Sequence, residues 1–254
     1  MRLLVLPALA LLGAAPAPEA RWQRIFDGTT LDGWTPKIAG HALGEDPRRT
    51  FVVREGAIRV SYAGYRKFDG AFGHLFWKAP ARAYRIRFEY RFYGEALPDV
   101  AAWQHRNSGL MYLAQPPATM TRDQQFPVSL ELQLLGADRP EPQTIGNLCT
   151  PGTNVHIAGR RDTRHCILST APVLPNDRWV RAEVEVLADG RVTHAIDGKA
   201  VLRFTRPELD PADADARPRI AAAGGRLKVS RGWFALQSEG HPIEFRNIDL
   251  LPLD

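Results

Sequence analysis

Cysteine, lysine and long apolar runs are scarce in this sequence, and each scarcity removes a class of protein. Cys149 and Cys166 are the only cysteines, and their spacing with the neighbouring His156 and His165 matches no Cys/His zinc pattern. Lysine occurs only at 37, 67, 78, 199 and 228, arginine is spread along the whole chain, and no Lys/Arg run exceeds two residues. A net charge of +5 dispersed in this way lacks the concentrated basic patch of a nucleic-acid binder, so no nucleic-acid partner is expected. No apolar stretch approaches the ~18 residues that a membrane-spanning helix needs. The G-x-S-x-G elbow, the H-E-x-x-H helix and the phosphate-binding loop are missing too. What is there, 254 residues with 44% hydrophobic and 24% charged, is the composition of a folded protein and a length that one large β-sandwich can fill.

The first residues carry an address. Met1-Arg2 is a short positive start, residues 3–12 are apolar apart from Pro7, and residues 13–17 offer small-residue cleavage sites. That is the layout of a secretory signal peptide, residues 1–20 with cleavage near 15–20. Its apolar core is too short to span a bilayer, and no cysteine near the cleavage region offers a lipid anchor. The mature chain, residues 21–254, is expected to be secreted or periplasmic, a single β-sandwich domain with no membrane insertion. Export bears on the cysteines, because an oxidising compartment favours a Cys149–Cys166 disulfide. Closing so short a loop is worth on the order of 3 kcal/mol in the chain-entropy model. A zinc site using His156 and His165, or two free thiols, are the alternatives.

The mature chain reads as short strands separated by turn signals. Residues 85–92 alternate strictly, with Ile86, Phe88, Tyr90 and Phe92 on one face. Residues 181–186 and 191–196 do the same, and Asp197-Gly198 is a hairpin turn pair leading into 200–204. Residues 51–53 and 57–60 flank Glu55-Gly56 as a second hairpin. Further strands are expected at 108–113, 128–135, 233–237 and 243–251, and residues 24–26 read as a strand able to meet the C-terminal one. Only residues 207–216 could hold a helical turn, given Pro207, Pro211 and Pro218. No linker or repeat divides the chain. Such a pattern indicates two antiparallel sheets in a sandwich or jelly roll.

In a sandwich with one open, concave face, polar side chains grouped on that face are candidates for a site. Leu130, Leu132 and Leu134 point inward, so Glu131 and Gln133 project together on the other face, about 7 Å apart by strand rise. Phe234 and Leu236 point inward, so Gln237 and Glu239 project together, with His241 two residues on. Asn107 and Ser108 precede Gly109, which permits a close approach. Carboxylate, amide and imidazole on short side chains make the donor and acceptor set that binds sugar hydroxyls. His74 and His156 are weaker candidates, and His194 reads as a wet strand position. The glucanase strand E-x-D-x-x-E, which supplies two carboxylates to a retaining mechanism, is replaced here by Glu131-Leu-Gln-Leu-Leu-Gly136, so that reaction is excluded.

These segments bear a family resemblance. Residues 24–34, Arg-Ile-Phe-Asp-Gly-Thr-Thr-Leu-Asp-Gly-Trp, resemble the LFNG-x-x-L-x-GW opening of the 3-keto-disaccharide hydrolase family. Asn107-Ser-Gly-Leu resembles its NSGI strand, and Glu131-Leu-Gln-Leu-Leu its E-x-Q-I-x-D strand. Residues 175–179 resemble its G-E/D-W turn, and 194–198 its H-x-x-NG. Residues 233–248 resemble its closing G-x-I-x-L-Q-x-H-G-x-x-V-x-FRNI. Six matches in order cover nearly the whole mature chain. Three features depart from the pattern: Gly136 stands in place of Asp, Ser238-Glu239 in place of a single residue, and residues 140–169 form a longer insert. The resemblance implies a concanavalin A-like jelly roll and cleavage of 3-keto-glycosides, by hydrolysis or by β-elimination.

A ketone at sugar C3 acidifies the C2 hydrogen. The enzyme must then supply a base, a group for the enolate oxygen and an acid for the leaving oxygen. Glu131 or His241 is expected as base and Glu239 as its acid/base partner. Asn107, Gln133 and Gln237 would orient the sugar, with His74 and His156 as further substrate contacts. No cofactor is certain; a divalent cation could hold the enolate. The alternative is a non-catalytic carbohydrate-binding sandwich of the cell envelope, with Trp34, Trp77 and Trp103 as stacking platforms. A structural envelope protein is the third reading.

Overall fold

The computed structural model describes residues 21–137 and 143–253. The expected signal peptide lies outside the described residues. Strict alternation builds the central strand: in Tyr84–Phe92 every second side chain, from Tyr84 to Phe92, is buried, and Arg85, Arg87, Glu89 and Arg91 point the other way. Among the described residues, ten strands form one antiparallel sheet. Their order is Arg160–Asp162, Thr153–Ile157, Lys199–Leu209, Arg191–Ile196, Val180–Val186, Tyr84–Phe92, Ile243–Pro252, Ala57–Val60 and Phe51–Arg54. Gln23–Arg24 completes it beside Ile243–Pro252, pairing Gln23 with Leu250 and Arg24 with Asp249, so the first and last described strands meet in one sheet.

The second sheet has seven strands: Cys166–Ile167, Asn147–Cys149, Leu130–Leu135, Asn107–Ala114, Trp233–Ser238, Gly73–Trp77 and Trp34–Ile38. A continuous core joins the two sheets, with Ile86, Phe88 and Phe245 from one facing Leu75, Leu110, Leu132, Leu134 and Leu236 from the other. Rings meet across it, Tyr84 with Phe234 at 6.1 Å between centroids. The result is the all-β sandwich expected from the alternation.

Both predicted hairpins form. Glu55-Gly56 and Asp197-Gly198 each put two successive residues at positive φ, the twist that a two-residue hairpin needs. The Gly33-Trp34 pair has a packing reason. Gly33 has φ +82°, and a Cβ there would lie 2.8 Å from the Trp77 ring. Trp34 packs against that same ring at 5.2 Å and donates its indole N–H to Ile25 O at 2.9 Å. Trp34 is therefore a core residue, not a sugar platform.

Three expectations change. The helix is Arg217–Ala222, with Pro218 in its first turn, because residues 207–209 extend the strand Lys199–Leu209. His194 is not wet. It is fully buried between the sheets, its Nε2 2.7 Å from the Tyr112 hydroxyl and its Nδ1 3.0 Å from Gly146 O. Burial pushes its pKa down to about 4. Finally, the outer face of the seven-stranded sheet is not open. Met120 and Phe126 cover Phe76, Met111 and Ala235 as a small second core.

Candidate functional site

The register of the seven-stranded sheet places the polar candidates in rows. Lys37 faces His74 and His74 faces Gln237. Gly109 faces Gln133, which faces Asn147. One step along, Met111 faces Glu131, Glu131 faces Cys149, and Cys149 faces Cys166. Period-2 alternation puts Asn107, Gly109 and Met111 on the side away from the main core, with Glu131 and Gln133 beside them. Cys149 and Cys166 are joined as a disulfide that links the last two strands of this sheet.

One cavity of about 490 Å³ gathers part of the candidate set. Asn107, Glu131, Gln133 and Glu239 line it, with Trp103, Phe126, Leu168, His165 and the two cysteines as walls. Glu131 is 6% exposed. Among the described residues no donor is bonded to its carboxyl, and burial alone pushes its pKa up to about 8. The cause is local: Met111 and Cys149 are its cross-strand neighbours, and among the described residues nothing cationic offsets the lost hydration. Gly109 makes room for it. A Cβ at Gly109 would overlap the carboxyl oxygen and lie 2.7 Å from Glu131 Cγ.

The amides are held at one end. Asn107 donates from Nδ2 to Trp103 O at 3.1 Å, and its buried Oδ1 has no partner among the described residues. Gln133 Oε1 accepts from Asn147 Nδ2 at 3.0 Å. Glu239 sits just past the end of Trp233–Ser238, and its carbonyl accepts from Gln104 Nε2 at 3.1 Å. The following Gly240 donates its N–H to the Tyr62 hydroxyl at 2.6 Å, which fixes the turn that presents Glu239. Trp103 is 49% exposed at the rim and stacks nearly parallel on Phe72, 6.2 Å away.

The remaining candidates lie elsewhere. His241 is buried outside the cavity lining, edge-on to Phe92 at 5.6 Å and to His105 at 5.1 Å. Burial, Arg106 and His105 push its pKa down to about 3. His74 and Gln237 share the face of the sheet but lie outside the cavity lining, with His74 6.1 Å from the Phe126 ring. Burial and Lys37 push the His74 pKa down to about 3. The side-chain nitrogens and oxygen of His74 and Gln237 have no partner among the described residues. His156 is on the other sheet, 3.5 Å from Glu208. His165, considered in the sequence only beside Cys166 and as a ligand of the alternative zinc site, lines the cavity. Its position next to a cysteine that pairs back toward Glu131 was the available signal.

At Gly136, where the resembled strand has Asp, a Cβ would lie 2.9 Å from Arg106 Cβ and would overlap Asn176 Oδ1. Two other side chains therefore fill the place of the missing acid. Among the described residues no three His, Cys, Asp or Glu side chains are grouped so as to hold a metal ion. The residues present do not fit a resident divalent cation.

Fold and site together define an antiparallel two-sheet sandwich with a carboxyl-bearing cavity on the outer face of one sheet. The chain matches the family described as 3-keto-alpha-glucoside-1,2-lyase-like domain over residues 21–251, and it belongs to that family. Two putative glycosyl hydrolases from Parabacteroides distasonis ATCC 8503 share the fold. One is 18% identical with a TM-score of 0.52, covering 92% of this chain and 94% of that one. The other is 12% identical with a TM-score of 0.55, covering 92% and 100%. A Bacillus subtilis protein of unknown function with a galectin-like fold is 12% identical with a TM-score of 0.53, covering 91% and 94%. No curated protein matches the sequence.

Proposed function

We propose that this protein cleaves 3-keto-glycosides, with Glu131 as the base. The observation that carries the reading is the buried Glu131 carboxyl, poised near neutral pH in a cavity that a second carboxyl, Glu239, and two amides also line. A general base works best when its pKa lies near the operating pH. His241, held neutral far below that range and outside the cavity lining, is the weaker base.

The Glu131 carboxylate takes the C2 proton, and the C–H electron pair moves into C2–C3 as the C3 ketone becomes an enolate. Collapse of the enolate restores the ketone, forms C1=C2 and breaks C1–O. The departing oxygen takes a proton from Glu239. Water adding across C1=C2 turns elimination into net hydrolysis. Asn107 Oδ1, which has no partner among the described residues, accepts from a sugar hydroxyl, and Gln133 presents its amide beside it. Trp103 offers an apolar ring face to the sugar at the rim.

The disulfide suits an oxidising compartment, secreted or periplasmic, and among the described residues no helix is long and apolar enough to cross a membrane. The test is incubation of the purified protein with a 3-keto-disaccharide, following release of the free leaving sugar. Release that is lost in Glu131→Gln supports the reading. Binding by calorimetry without any release favours a carbohydrate-binding sandwich instead.

A further inference from the structure

A second cavity, of about 650 Å³, abuts the first. The two share Phe126, Pro151 and His165 as a common wall. Each has the size of a small-molecule site. Their linings differ in charge. Asp123, Asp210, Asp213 and Asp215 line the second cavity, and among the described residues neither Lys nor Arg does. Arg161 comes no nearer than 4.0 Å to Asp210. Asp210 and Asp213 each use one oxygen to accept a turn N–H, from Ala212 at 3.0 Å and from Ala216 at 2.8 Å. Burial and the nearby Asp213 push the Asp215 pKa up, a repulsion that a positive ligand would relieve.

A separate observation points to a ligand. Asn154 lines this cavity, is 1% exposed, and has a buried Nδ2 with no hydrogen-bond partner among the described residues. Such a buried donor is costly unless something accepts from it. A metal ion does not explain the cluster, because among the described residues no three such side chains converge on one point.

We propose that the aspartate-lined cavity is the leaving-group subsite, taking a second sugar ring that carries an amine or hydroxyls and rejecting one that carries a carboxylate. This rests on the reading of the Glu131 cavity as the cleavage site. Asn154 donates to a ring hydroxyl or ring oxygen, and the aspartates accept from hydroxyls and favour an ammonium group. The shared wall sets the glycosidic oxygen between the two cavities.

The experiment uses three 3-keto-disaccharides with one 3-keto-glucosyl donor and one linkage. The leaving sugar is glucosamine, glucose or glucuronate. At low ionic strength kcat/KM falls in that order, with at least about tenfold between the ends, and about 0.5 M salt narrows the spread. Asp123 and Asp215 hold no hydrogen bond among the described residues, so the Asp123→Asn/Asp215→Asn double variant is the one to make; it flattens the order. Equal rates, or glucuronate fastest, would overturn the subsite. Calorimetry of the same protein with free glucosamine and free glucuronate reads the cavity without turnover. If no disaccharide is cleaved but glucosamine binds better and the double variant loses that preference, the cleavage reading fails and the acidic subsite stands. If neither sugar is preferred, the subsite fails whatever the turnover.

Discussion

Gly109 and Glu131 occupy one space. They are on neighbouring strands of the seven-stranded sheet, and the Glu131 side chain lies where a Cβ of residue 109 would be. The carboxyl is thereby pressed onto the sheet, away from water. A Gly109→Ala variant must push Glu131 aside, at an overpacking cost of about 1–3 kcal/mol. The expected outcome is a folded protein of lower melting temperature whose cleavage rate falls far more than its substrate affinity. Comparing kcat with KM checks it.

Removing the carboxyl should separate activity from stability. Glu131→Gln is expected to lower kcat by about 10²–10⁴, the usual worth of a positioned base. Its effect on stability has the opposite sign. The Glu131 pKa is raised on folding, to about 8, so the folded protein holds its proton more tightly than the unfolded chain. Its stabilising contribution is full below the ordinary carboxyl range and is lost as pH rises through about 8. The variant should therefore melt higher than wild type at alkaline pH and show no such advantage at pH 4. Melting curves across pH give the answer.

The buried histidines act at the acid end. His74 and His241 both have pKa values pushed down to about 3. The unfolded chain binds protons at these positions below the ordinary histidine pKa while the folded protein does not. Their contribution is complete above about 6.5 and drains away as pH falls toward 3. Wild type should lose stability over that window, and a His74→Gln/His241→Gln double variant should lose less. Acid titration followed by circular dichroism distinguishes the two.

The disulfide stands at the site, not remote from it. Cys149 is the cross-strand neighbour of Glu131, and both cysteines line its cavity. Reduction should cost about 2–4 kcal/mol of stability. Activity should also fall at temperatures where the protein is still folded, because the strand Cys166–Ile167 and His165 lose their tether. Parallel melts and rate assays with and without dithiothreitol test both statements.

Tyr112 and His194 tie one sheet to the other at 2.7 Å. Tyr112→Phe leaves the His194 ring nitrogen buried and unpaired, which costs about 1–3 kcal/mol. Denaturant unfolding measures it.

Much of this was legible in the sequence wherever alternation was strict. The residues from 84 to 92, 180 to 186 and 130 to 135 declare their inner and outer faces, and the Asp197-Gly198 and Glu55-Gly56 pairs declare their turns. Period-2 arithmetic pairs Glu131 with Gln133 and Gln237 with Glu239 and His241, one strand at a time; which of these share a cavity depends on strand order and on the turn after Ser238, which the arithmetic does not give. What the sequence hides is cover. Nothing local to Met120 or Phe126 says that they will fold over Phe76 and Met111. The burial of His74, Gln237 and Glu131 therefore could not be read, nor could the shift in pKa that follows from it. His194 alternates with Val192 and Ile196, the buried positions of its strand, so its burial follows the same period, and only its partner Tyr112, far off in the chain, is hidden from the sequence. His156 and His165 share one loop in the chain but end up apart, because the chain crosses from one sheet to the other between them.

In the proposed reaction Glu131 removes the C2 proton of a bound 3-keto-sugar. The most direct measurement is exchange of that hydrogen for deuterium, in heavy water, with a 3-keto-glucoside. Wild type should exchange it, with a rate that climbs about tenfold per pH unit below about 8, and Glu131→Gln should fall to the uncatalysed rate. Exchange that persists undiminished in Glu131→Gln would contradict the assignment, and no exchange by wild type above the uncatalysed rate would contradict the enzyme itself.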